Sequence, residues 1–332
     1  MGAFTLASLL FGLLAVALAY RFTGSAVACV GVLVATPLPY YLAYEPSYSH
    51  TFSAFAVTLF LLAWWRGREA RGPAGWFLLG LLGGLMALVR YQDGPLLAIV
   101  LLDLPRARWK LLLMVPGVLL AFAPQLVVDR VVFGTWLPER PAGQDLQPFS
   151  GHYLDVLFSS WHGLFAWHPL TLLAAAGFLF VRERALQVAF VYALVVETLI
   201  NAAAPDWWGG FAFGARRFLD LTPFFVIGLA ALARRVGERP AWAAVALLGV
   251  WNLLLMANFT YVIRTDHDPG YLGLLGGQAA AVGHLPNLFA QGVVGRDLLL
   301  WPLLHQPFQP LAGIAFVLLE AACLYAARRV AG

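Results

Sequence analysis

The residues best suited to chemistry in this sequence lie in three short polar turns and one aromatic approach. The first turn, Tyr40-Tyr41-Leu42-Ala43-Tyr44-Glu45-Pro46-Ser47-Tyr48-Ser49-His50, carries a carboxylate and an imidazole. Such a pair can orient a hydroxyl or take up its proton, whereas the tyrosines by themselves read as an aromatic belt closing a hairpin. In the second, Arg90-Tyr91-Gln92-Asp93-Gly94-Pro95, Arg90 offers a planar donor fork suited to phosphate. A local Arg90–Asp93 ion pair pinning the turn explains the motif equally well. The third runs from Asp206 through Trp207, Trp208, Gly209 and Gly210 to Arg216, Arg217 and Asp220. Its glycines let backbone approach a ligand closely, and the two arginines open an apolar run whose helix dipole favours an anion. The aromatic approach, Ser159 to Pro169, contributes His162 and His168, whose spacing matches no zinc pattern. Histidines satisfied by interfacial neighbours are the simpler reading there. Glu197 stands in the middle of another apolar run, a candidate by default inside a membrane, or hydrogen-bonded to Asn201 or Asn252.

The elements that must position these turns follow from composition. The chain has 332 residues, 61% apolar and only 11% charged, with a mean hydropathy of +0.78. A soluble fold of this length has too little polar residue to cover its surface, so lipid is the expected solvent. Backbone groups in lipid must be satisfied internally, which leaves helices or a closed barrel, and the apolar runs do not alternate as barrel strands do. The expectation is an all-α polytopic membrane protein, a single domain over residues 1–332. Its eleven transmembrane spans fall near 3–20, 25–43, 51–65, 74–90, 94–104, 111–128, 167–181, 186–203, 219–233, 241–262 and 307–327. The run at 94–104 is short for a hydrocarbon layer of ~30 Å. Residues 1–20 lack a signal peptide's basic start and read as a retained helix. Cys29 and Cys323 lie in apolar runs, so neither a disulfide nor redox chemistry is indicated.

Charge gives orientation. The net +4 is no nucleic-acid signature, because 14 of the 21 basic residues sit in alternate connections, from Arg21 and Arg66/Arg68/Arg71 to Arg328/Arg329. By the positive-inside rule that face is cytoplasmic, with the N-terminus outside and the C-terminus inside. All seven histidines and eleven of the 17 carboxylates then fall on the outer side, which gathers the chemically useful groups there. Two outer connections are long, about 129–166 and 263–306. The first includes a stretch from Tyr153 to Trp167 that suits an interfacial helix; the second reads as a pair of interfacial helices or a lid.

The four motifs, in this order, resemble bacterial membrane glycosyltransferases of the GT-C superfamily. The branch is the one containing protein O-mannosyltransferases and lipid A aminoarabinose transferases. The resemblance covers most of residues 25–235, and Trp-Trp-Gly-Gly followed by Gly-Ala-Arg-Arg-Phe is its most specific part. It implies a GT-C-like bundle with interfacial helices on the outer face of a bacterial cytoplasmic membrane. It also implies a polyprenyl-phosphate-linked sugar donor and a lipid, glycan or protein acceptor. Arg90, Arg216 and Arg217 would then hold the carrier phosphate, with Tyr91, Gln92, Trp207, Trp208 and His162 lining the substrate site. Glu45, His50 and Asp93 would be the catalytic candidates. No cofactor and no divalent metal are expected. The family's acidic pair lies in a first outer loop that precedes the helix matched here by residues 3–20, so the expectation is a truncated or divergent member. Two other readings stay open: a lipid-linked-glycan binding protein without catalysis, and a transporter coupled through Glu197.

Overall fold

The computed structural model describes residues 2–46, 48–136, 146–263 and 267–291, and all regular structure among them is helical. The main helices are α1 (Gly2–Thr23), α2 (Ala26–Ala35), α3 (His50–Gly67), α4 (Pro73–Val89), α5 (Met114–Phe133), α6 (Pro169–Gly177), α7 (Arg184–Ala203), α8 (Thr222–Val236), α9 (Glu238–Tyr261) and α10 (Gly270–Ala281). Among the described residues, four segments are long and apolar enough to cross a membrane: Phe4–Thr23, Tyr91–Phe133, Arg184–Ala203 and Glu238–Tyr261. That is fewer than the eleven spans expected from sequence. The span expected at 307–327 lies outside the described residues. Others coincide with shorter apolar helices, Ala26–Ala35, Pro73–Val89 and Pro169–Phe180. α8 has 15 residues, and every one from Thr222 to Ala231 is buried, so protein rather than lipid surrounds it.

Direction is fixed by packing. Phe4 meets Phe52 and Phe22 meets Trp65, so α1 and α3 run parallel. The segment Tyr91–Phe133 is not one straight rod. Gly94 packs near Ala87 and Leu97 near Gly83, so its first part descends antiparallel to α4. Met114 then packs on Gly80 and Val118 on Gly84, so α5 climbs parallel to α4. The reversal is made at Arg108, whose φ of 49° lies in the left-handed region. Residues Tyr91–Asp103 wind with i→i+3 bonds over 13 residues. At about 2.0 Å rise per residue they reach about 26 Å, which answers the shortness of this run in the sequence.

Local chemistry explains the helix ends. Pro37 stops α2, and the carbonyls it leaves are satisfied from a distance: Asn252 Nδ2 donates to Val34 O and Thr36 O, each at 2.9 Å. A buried carbonyl without a donor costs a few kcal/mol, so α9 anchors α2 through one side chain. Beyond Pro39 the chain makes a widened turn over Tyr40–Tyr44, closed by Glu45 N–H to Tyr40 O at 2.9 Å. α6 and α8 touch backbone to backbone where Gly177 meets Gly228, and a Cβ on either would collide with the other chain. At the opposite end from the candidate site, Arg68 binds Asp103 at 2.7 Å, Trp64 Nε1 donates to the same carboxylate at 2.7 Å, and Arg106 reaches Glu69 at 3.3 Å. Two of the basic turns thus lie side by side.

The expected interfacial helix over Tyr153–Trp167 is divided in two, Asp155–Phe158 and Leu164–Trp167. Between them His162 adopts φ 64°, which no continuous helix allows. Helix α5 continues to Phe133, past the boundary read at 128. Parts of both long connections (137–145, 264–266 and 292–306) are outside the described residues.

Candidate functional site

The site is assembled from the ends of α3, α4, α7 and α8. Gly209, Gly210 and Gly214 hold φ of 88°, 63° and 60°, and this winding loop delivers Arg216 and Arg217 to the start of a short tight helix, Arg216–Leu221. The loop is wedged from behind. His162 Nδ1 contacts Trp208 O at 2.7 Å, and the Trp161 and Trp208 rings stack at 4.4 Å. Only a glycine fits at 214, because a Cβ there would strike His168.

Arg216 hydrogen-bonds the Gly209 carbonyl and lies 5.1 Å over the Tyr48 ring. Tyr48 stacks on His50 at 5.7 Å, and Tyr41 OH donates to Phe213 O at 2.8 Å. Arg217 grips both oxygens of Asp206 at 2.6 and 2.7 Å. Arg90 closes α4 with an extended φ of −150° and gives Nη2 to Gln92 Oε1 at 2.5 Å, while its Nη1 is buried without a partner among the described residues. Arg216 over Tyr48 and Tyr48 on His50 join the first turn to the third, and Gln92, bonded to Arg90, places Nε2 3.4 Å from Arg217 O and so joins the second. Three turns separated by 40 or more positions in sequence therefore meet. Burial raises the Glu45 carboxyl above its usual range, with Arg216 opposing. Burial lowers His162 to about 4, so its ring is neutral near pH 7. Arg217 is lowered by burial too, against the pull of Asp206.

Beneath the arginines lies a second cluster. Asp93, Glu197 and Asp220 are fully buried, and one oxygen of each lies within 4.8 Å of the others. Ser53 Oγ donates to Asp93 Oδ2 at 2.6 Å, and Gln92 Nε2 donates to Glu197. Carboxylates this close cannot all be charged without opposite charge beside them. Arg90 supplies one counter-charge, and shared protons or a cation held by these three residues would supply the rest.

The chain matches no protein-family model, no curated protein and no solved structure. The functional reading therefore rests on this geometry and on the sequence motifs.

Of the sequence candidates, Glu45, His50, Arg90, Arg216 and Arg217 come together, and Gln92 links them to the buried acids. Asp93 belongs to that lower, sealed layer. Trp207, Trp208 and His162 line a small recess with Asn201, Arg216 and Arg217. Tyr91 does not join the site: it is exposed, packs on Phe122 and points its hydroxyl at Asp129, 3.4 Å away. Sequence reasoning gave no role to Asp220, Asp206 or Ser53. An acid inside the apolar run Phe218–Pro223 was the available signal for Asp220; Ser53 carries none, because a serine in a helix is common.

Proposed function

We propose that the chain is an integral membrane glycosyltransferase of GT-C type, with about eleven spans in a bacterial cytoplasmic membrane. In this reading the N-terminus lies outside, the C-terminus inside, and the site faces the extracytoplasmic side. The donor is a polyprenyl-phosphate-linked sugar and the acceptor a hydroxyl of a lipid, glycan or protein. The observation that carries the reading is the gathering of Arg90, Arg216 and Arg217 through Gln92 and Tyr48, with one buried Arg90 nitrogen lacking an acceptor among the described residues. A guanidinium nitrogen buried without an acceptor in a low-dielectric site suits an anion's oxygen, and the polar ends of these helices next to apolar lipid suit a phosphate on a long chain.

The chemistry balances with these groups. The acceptor oxygen bonds to the anomeric carbon as the bond from that carbon to the phosphate oxygen breaks. The carrier phosphate leaves with the electron pair, stabilised by Arg90 and Arg216, and Glu45 takes the hydroxyl proton. Asp93 is sealed from solvent, so in this reading it holds Arg90 in place through charge rather than contacting the acceptor.

The same burial favours a second reading, a binding protein for lipid-linked glycans, because among the described residues Glu45 is the one upper-layer carboxylate outside an ion pair, Asp206 being held by Arg217. Binding and transfer of a polyprenyl-phosphate sugar by the purified full chain separate the two. Arg90→Ala and Arg216→Ala should each weaken donor binding about ten-fold or more, while exposed Arg182→Ala should not. Equal effects from all three would remove the phosphate site. Donor binding without any transfer, unchanged in Glu45→Gln, would leave the binding protein.

A further inference from the structure

α8 begins at the arginine site and ends at Val236, so the α8–α9 turn lies at the opposite end of the bundle. There a partly open groove lies between α2, α6, α8 and α9. Its walls are apolar side chains, among them Ala28, Leu173, Leu229, Ala233, Ala241 and Val245. Alanines on three of the helices make it: larger residues at these positions would close the gap. Val236 and Pro240 stand at its end, joined by a turn that Gly237 permits with φ 95°. That turn carries Arg234, Arg235 and Arg239, each within two residues of the lining residues Val236 and Pro240. All three are exposed, and among the described residues none of them forms an ion pair. Glu238 is the single acid of the turn, which stays net positive.

We propose that this groove is a binding site for an anionic phospholipid, with one acyl chain along the alanine-lined walls and the headgroup phosphate held by Arg234, Arg235 and Arg239. The two halves of the site argue for one occupant. An apolar channel without polar lining selects a hydrocarbon chain and nothing more, and any phospholipid could supply that. The unpaired arginines at its end supply the charge complementarity, since basic pockets between helices at a membrane surface hold acidic headgroups. A zwitterionic lipid brings the same chain but cancels its phosphate with its own cation. Each arginine near such a headgroup is worth about five-fold in affinity, so three of them distinguish an acidic lipid from a neutral one by well over ten-fold. The proposal needs the chain to sit in a membrane and does not depend on its transferring a sugar.

The test titrates the purified full chain in detergent with dioleoyl-phosphatidylglycerol or dioleoyl-phosphatidylcholine and counts retained lipid by native mass spectrometry. We expect phosphatidylglycerol to be held about ten-fold or more tightly. The Arg234→Ala/Arg235→Ala/Arg239→Ala variant should reduce that preference to parity without changing phosphatidylcholine retention. Ala241→Phe, which fills the groove while leaving the arginines, should reduce retention of the acidic lipid, with an unchanged Tm showing that the bundle is intact. A preference that survives loss of the three arginines, equal retention of both lipids by the native chain, or full retention in a folded Ala241→Phe protein would each overturn the assignment.

Discussion

Gln92 donates its side-chain amide to the carboxylate of Glu197, 105 positions away, while its carbonyl oxygen accepts from Arg90. Only this orientation of the amide satisfies both neighbours, since an arginine needs an acceptor and a carboxylate needs a donor. One neutral side chain thus couples the upper arginine layer to the buried acids.

Replacing Gln92 with Leu should therefore do two things at once. Arg90 loses its aim, and a Glu197 oxygen loses its donor inside the bundle. Hydrogen bonds to charged groups are worth about 1.5–3 kcal/mol, so donor affinity should fall at least ten-fold with a measurable loss of Tm. Isothermal titration and thermal unfolding on the same sample check both; intact binding with a lowered Tm would assign Gln92 to the scaffold alone.

Glu45 should set the acidic limb of the rate profile. A general base works when ionised, and burial raises this carboxyl above an exposed glutamate's value. Transfer should consequently decline as pH falls through that raised value, at higher pH than for a free glutamate. In Glu45→Gln the rate should drop by about 10²–10⁴ and lose that limb. A limb that persists in the variant would assign the base to another group.

His162 makes the fold acid-sensitive. Its pKa is lowered to about 4 in the folded chain from an ordinary 6.5, so below pH 6.5 the unfolded chain binds the extra proton. Stability from this ring is complete above about pH 6.5 and is lost progressively down to about pH 4, up to about 3 kcal/mol. His162→Asn keeps a residue tolerant of positive φ and should flatten that slope in a Tm-against-pH series. An unchanged slope would mean that other groups carry it.

At the far end, Arg68→Ala should strip the buried Asp103 of its close ion pair, leaving only the exposed Arg106 at 3.9 Å. Breaking such a pair costs about 3–5 kcal/mol, whereas replacing both members with apolar residues of similar volume is close to neutral. Arg68→Ala is expected to lower Tm sharply and Arg68→Met/Asp103→Leu to recover most of it, as read by thermal unfolding in detergent.

Some of this arrangement was legible in the sequence. The helical class follows from apolar content, and the short turns were recognisable because Arg90, Arg216, Glu45 and His50 stand out against apolar neighbours. Length was misread where tertiary packing changes what a helix needs. The run beyond Pro95 reaches farther than its residue count suggests, because it winds tightly, and α8 needs no long apolar face, because protein encloses it. The resemblance puts Tyr91 in the substrate site with its neighbours, but in a helix turn neighbouring side chains point apart, and it faces α5 instead.

The sequence by itself determined that lipid-compatible helices carry this chain and that its ionisable groups cluster in a few turns, since hydropathy and residue type are properties of the strand of letters. Only the tertiary structure decided which turns meet. The pairing of Gln92 with Glu197, the grip of Asp206 on Arg217 and the closeness of Asp93 and Asp220 depend on helices crossing at particular heights. Those heights are set by where Pro37 and Arg108 stop or reverse the chain and by where Gly177 lets α6 approach Gly228 of α8. Such contacts join residues far apart in sequence, and no local pattern encodes them.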